Sequence, residues 1–164
     1  MSISTTLPAA RNQKRHDIVK LAADSIRRLD FLSPVIDLAL RVWVAMAFFK
    51  SGLTKIDSWD STLFLFANEY HVPLLPPELA AYLGTAAELS LPVLLVLGLG
   101  GRFAAAALFI FNIVAVISYP DLGEVGLRDH QVWGLMLLVT LLHGPGRLSI
   151  DHLLQRWLFK RQGD

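Results

Sequence analysis

Apolar residues fall into four long blocks, at about residues 35–56, 79–98, 103–119 and 130–145, each bounded by proline, glycine or charge. Blocks of this length predict helices that cross a bilayer, which takes roughly 20 apolar residues per crossing. Ser33 and Pro34 supply a cap and a first-turn proline for the first span. Pro73, Pro76 and Pro77 introduce the second, the glycine-rich turn Gly98–Arg102 separates the second from the third, and Pro120 ends the third. The fourth is short: its uninterrupted apolar run is only Val132–Leu142. His130, Gln131, His143 and Gly144 must extend it or the bilayer must thin, and a re-entrant or interfacial helix is the alternative.

Polar segments between and around the blocks also carry helical periodicity. Ile18, Leu21, Ala22, Ile26 and Leu29 alternate with Lys20, Arg27 and Arg28, the pattern of an amphipathic helix on an anionic leaflet, or equally of a solvated lead-in helix. Trp59, Leu63, Phe66 and Tyr70 recur at helical spacing in the loop before Pro73, an aromatic anchor for the interface. At the C-terminus Ser149 can cap a helix whose apolar face is Ile150, Leu153, Leu154, Trp157 and Leu158 and whose basic face is Arg156, Lys160 and Arg161. The predicted architecture is all-α: a tail with amphipathic helix over 1–31, a four-helix transmembrane bundle over 32–148, and a C-terminal amphipathic helix over 149–164.

Composition agrees with this pattern. Of 164 residues, 54% are hydrophobic and 18% charged, a balance of multi-span membrane proteins. A net charge of +1 gives no reason to expect nucleic acid as a partner. The chain has no cysteine, which excludes a dithiol relay, a disulfide frame and a thiolate metal site within it. The first apolar block starts too late and runs too long for a cleaved signal peptide. Lys and Arg concentrate in the two terminal segments and at Arg102 and Arg147, whereas the opposite loops hold mainly acids. Both termini are therefore expected on the cytoplasmic side of the membrane.

Charges inside the apolar blocks are the candidate chemistry. Glu88 lies near the middle of the second span, and Pro92, four residues on, has no N–H for the Glu88 carbonyl. An acid at such depth needs a partner and marks a functional position by default. The first span carries Arg41, Lys50 and Lys55. A helical wheel puts Arg41, Ala45, Phe48, Gly52 and Lys55 on one face and Lys50 opposite, and the estimated depths favour Arg41 as the partner of Glu88, with Lys50 and Lys55 as competitors. Such a pair could polarise a quinone-like ligand, pass a proton, or only set helix register. Asn112, the one amide of the third span, is expected to make a helix–helix hydrogen bond. His71, Asp121, Asp129 and His130 have suitable donor atoms but no ligand spacing, so no metal site is assigned.

Arg41, Gly52, Lys55, Glu88, the Gly98/Arg102 turn and the GPGRLSID stretch at 144–151 together resemble the DoxX family of small bacterial membrane proteins, over about Val35–Leu154. The resemblance implies a four-helix membrane bundle associated with oxidoreductase systems, quinone- or thiol-linked, and it supplies no catalytic residues. The expected role is a membrane subunit or anchor with quinone as candidate ligand and a soluble or membrane redox partner. The alternative is a helper that handles a small solute or metal such as copper, or an assembly scaffold. That role would call for a homo-oligomer packed through small residues such as Ala81, Gly84, Ala86 and Ala87.

Overall fold

A computed structural model describes residues 7–160, and all the regular structure among them is helical. The order is α1 (Leu7–Asp57), α2 (Trp59–Asn68), α3 (Pro77–Leu97), α4 (Gly101–Ser118), α5 (Gly123–His143) and α6 (Ile150–Lys160). The chain divides at Pro34 into two units, 1–34 and 35–164. In the first, the side chains of Val19, Lys20, Leu21, Arg27 and Leu29 are exposed. Those of Ile18, Ala22 and Ile26, which belong to the predicted apolar face, lie outside the described residues, as does Arg161.

The expected helix start at Ser33–Pro34 is corrected: α1 continues through Pro34. Proline keeps a helical φ and forfeits one i→i−4 bond, a loss that membrane helices tolerate. The helix predicted over 130–145 also differs: it is α5, and it begins at Gly123. Its 21 residues reach about 31 Å, enough to span the hydrocarbon core, even though its first turns are polar. Three stretches are both long and apolar enough to cross a membrane: Phe31–Asp57, Pro77–Leu97 and Gly101–Ser118.

The second unit is a helical bundle that is apolar on both its inner and outer faces. Inside, Val44, Ala45 and Phe48 of α1 meet Leu95 of α3, Ala104, Ala105 and Leu108 of α4, and Leu137 of α5. The alanines bring α4 close to its neighbours, and α4 packs against both α3 and α5. Outside, Trp43, Met46, Leu83, Val93, Ile110, Ile117, Leu135 and Leu142 are exposed. A surface so apolar is stable against lipid and costly against water. The protein is a membrane protein.

At one end of the bundle, backbone turns are joined by side chains from distant helices. Gly98 takes a left-handed φ of 63° and closes α3, its N–H bonding back to Leu95 O at 3.2 Å and that of Leu99 to Leu94 O at 3.1 Å. Asp151 then caps α4 from outside: its carboxylate accepts from Gly100 N at 2.9 Å and Gly101 N at 2.8 Å, while its own N–H donates to Gly98 O at 3.0 Å. Ser149 caps α6 as expected, accepting from His152 N at 3.2 Å. The GPGRLSID stretch is thus a clasp that holds the α3–α4 turn.

At the other end α2 folds back over α3. Phe66, Ala80 and Ala81 are buried there, with Trp59, Leu63, Tyr70 and Val72 packed around them. The anchor aromatics therefore face protein: Phe66 and Tyr70 stack edge-on at 4.9 Å, and Tyr70 meets Tyr119 of the loop after α4 at 5.0 Å. A bond from His71 N to Ser118 O, 2.8 Å, ties this loop to the end of α4.

Candidate functional site

Lys55 is the partner of Glu88. Its ammonium lies 2.7 Å from Glu88 Oε2 and 2.8 Å from Oε1, and donates to Ser51 Oγ at 2.8 Å. Ser51 in turn donates to Glu88 Oε1 at 3.2 Å. Ser51 and Lys55 stand one turn apart on the same face of α1, which is how both reach one carboxylate. The side chains of Lys55 and Glu88 retain 17% and 7% of their exposure.

Gly52, between Ser51 and Lys55, permits this approach. A Cβ there would lie 2.9 Å from Leu89 Cδ2 and 3.1 Å from Glu88 Cβ. Gly52→Val is accordingly expected to push α1 off α3 and to cost about 1–3 kcal/mol, the usual penalty for overpacking, read as a lowered unfolding midpoint in detergent.

The preference for Arg41 as partner is corrected. Arg41 is fully buried, 0% exposed, but points to the clasp. It donates to Leu95 O at 3.0 Å, Val96 O at 2.7 Å and Leu148 O, which satisfies carbonyls left open where α3 ends. The end of α1 is not the membrane surface that helix depth counted along the sequence supposes. In the fold α2 covers that end, Thr62 Oγ1 donating to Lys55 O at 2.9 Å, so Lys55 stands at the level of mid-α3. Lys50 is exposed on the opposite face and takes no part.

Asn112 bridges α4 to α5, as its lone amide predicted. Its Nδ2 donates to His130 O at 3.0 Å, and its Oδ1 meets His130 Nδ1 at 2.7 Å. His71, Asp121, Asp129 and His130 do not converge: no three His, Cys, Asp or Glu side chains gather with metal-binding geometry among the described residues.

Between these groups lies a cavity of about 570 Å³ that sequence patterns did not reveal. Ser51, Lys55 and Glu88 form one part of its wall, and Ser118, Tyr119, His130 and Trp133 another. Phe48, Phe66, Leu91 and Phe111 make much of the remaining surface apolar. Leu83 and Ile110 line it and are also exposed, so it opens on the apolar exterior between α3 and α4. The Tyr70 phenol borders it, and its pKa is raised by burial first and then by Tyr119, Glu88 and Glu69, which keeps it a neutral hydroxyl. Ser118 Oγ is buried there without a hydrogen-bond partner among the described residues.

The DoxX family model matches residues 36–120, more than half of the 164-residue chain. The chain belongs to the DoxX family. The match takes in both partners of the Lys55–Glu88 pair and ends at Pro120, so α5 and the clasp of this DoxX protein lie beyond it. An uncharacterized protein of Haemophilus influenzae is 30% identical over 128 residues, covering 73% of this chain and 83% of that protein. No solved structure matches.

Proposed function

We infer that this DoxX protein is a ligand-binding membrane subunit of an oxidoreductase system, resident in a bacterial inner membrane with both termini cytoplasmic, and that its cavity takes the ring of a quinone. The observation that carries this reading is the cavity itself. It is large, walled by aliphatic and aromatic groups, open toward lipid, and bordered by a buried ion pair, the chemistry expected of a site for an apolar ring with polar substituents. The residues suit such a ring: Phe48 stands edge-on to Phe111 at 6.1 Å and to Trp133 at 5.6 Å, leaving aromatic surface for stacking. The hydrogen bonds of Lys55 Nζ go to Glu88 and Ser51, so Glu88, held in place, meets the ligand as an acceptor. A quinone-type ligand supplies redox capacity when bound. The chain's own part is to admit it from the bilayer, orient it and present an acceptor for a proton. A redox partner would meet the exposed parts of the membrane subunit.

The test is to purify the protein in mild detergent, extract it, and identify retained quinone by mass spectrometry. A short-chain quinone is then titrated into the lipid-nanodisc form. Gly84 lines the cavity, and a Cβ there meets only ordinary contacts, the nearest Phe66 Cζ at 3.6 Å. Gly84→Leu should therefore leave the fold intact, fill the cavity and abolish binding. Wild type that retains no quinone and binds none on titration would overturn the reading, as would undiminished binding by folded Gly84→Leu.

A further inference from the structure

The wall of the cavity opposite the ion pair holds polar groups that nothing described so far uses. His130 lines the cavity, its ring edge-on to Trp133 at 4.8 Å. The amide of Asn112 determines how that ring is protonated. Because Asn112 Nδ2 is spent on the His130 carbonyl, Oδ1 is the atom that faces His130 Nδ1, and an oxygen there requires Nδ1 to carry the proton. In the neutral imidazole this leaves Nε2 as a bare acceptor, and Nε2 receives no hydrogen bond from the described residues. Ser118, 4% exposed and also lining the cavity, has a hydroxyl unpartnered among the described residues. A buried hydroxyl without a partner is destabilising, and a ligand oxygen would remove that cost.

The arrangement discriminates between oxidation states of a ring. Strong acceptors border the cavity at two places, the Glu88 carboxylate and His130 Nε2, while the one ammonium on its wall is committed to Glu88 and Ser51. A carbonyl-bearing ring can accept from Ser118 and Tyr70 but leaves both acceptors bare. A hydroxyl-bearing ring can donate to them and can still accept from Ser118.

We propose that His130 is a specificity residue, oriented by Asn112, that accepts a hydrogen bond from a ring hydroxyl, so that the cavity takes the reduced, hydroxyl-bearing form of its ligand in preference to the carbonyl form. The proposal rests on the reading that a quinone-type ring occupies the cavity. Asn112 acts through His130 and is a positioning residue.

The experiment compares three probes against the full chain in nanodiscs under anaerobic conditions, by calorimetry: a short-chain hydroquinone, its di-O-methyl ether, and the matching quinone. Wild type should bind the hydroquinone about tenfold or more tighter than either the ether or the quinone, since a site built around a hydroxyl rejects the analogue that lacks one. His130→Phe should erase that preference while changing quinone affinity by less than about threefold, and His130→Gln, which keeps an acceptor, should recover part of it. Asn112→Leu should weaken the preference, and a 15N spectrum should show the His130 tautomer no longer confined to Nδ1–H. Equal affinity of wild type for hydroquinone and ether would overturn this proposal and leave the quinone reading standing. A preference that survives in folded His130→Phe would do the same. Wild type that binds none of the three probes would overturn both. The wild-type comparison decides the matter even where a variant fails to fold.

Discussion

Glu88→Leu alone will destabilise the protein severely, by about 3–5 kcal/mol, because it leaves the part-buried Lys55 ammonium without its counter-ion. Lys55→Met alone will cost about as much for the mirror-image reason. The double variant Lys55→Met/Glu88→Leu will return to within about 1–2 kcal/mol of wild type, since two apolar side chains of similar size replace a pair whose mutual attraction was largely offset by desolvation. Denaturation of all four proteins in one detergent gives the double-mutant cycle. The double variant also separates stability from function. It should fold and yet bind the hydroxyl-bearing ring about tenfold or more weakly, because the Glu88 acceptor is gone. Binding retained by the double variant would reduce the ion pair to a device that sets the register of α1 against α3.

Arg41→Ala will be as damaging as either single change at the ion pair, also about 3–5 kcal/mol, and no ligand will offset it. Three carbonyls from two distant segments, Leu95, Val96 and Leu148, depend on one buried guanidinium. Its loss takes a donor from each, Leu95 O keeping only its bond from Gly98 N, and loosens the GPGRLSID clasp, which then holds through Asp151 alone. Arg41→Lys will not restore stability: an ammonium is a single point of donation and cannot fork across carbonyls from separate chain segments. The measurements are the unfolding midpoint and limited proteolysis, with cleavage expected first between His143 and Ile150. Lys50→Ala, at an exposed position of the same helix, should leave the midpoint unchanged. Equal tolerance of Arg41→Ala and Lys50→Ala would remove the clasp from the account.

Helix class, the membrane setting and most span limits were legible because they depend on local composition. Periods of 3.6 residues, prolines at 76, 77 and 120 and glycines from 98 to 101 act within a turn or two of where they stand. Limits that rested on a single rule were less secure. Pro34 can start a helix or sit inside one, and the polar first turns of α5 concealed its true length. Among the site residues, Glu88 was conspicuous as an acid in an apolar block, and Asn112 as a lone amide. Ser51, Tyr70, Ser118 and His130 were not, since serine, tyrosine and histidine near span ends are commonplace, and only their convergence on one cavity sets them apart.

The order of residues alone determined that this chain forms membrane helices and that one carboxylate must be buried among them, because hydrophobicity and the cost of burying charge are properties of each segment. It could offer three cations for that carboxylate without ranking them correctly. The choice of Lys55 was made by tertiary structure: α2 folds over the end of α1, and Gly52 lets α1 meet α3 at Glu88. The fate of Arg41 was decided the same way, by carbonyls exposed where α3 stops and where the distant clasp returns. The cavity is the space left between helices once those contacts are made, and no local pattern encodes it.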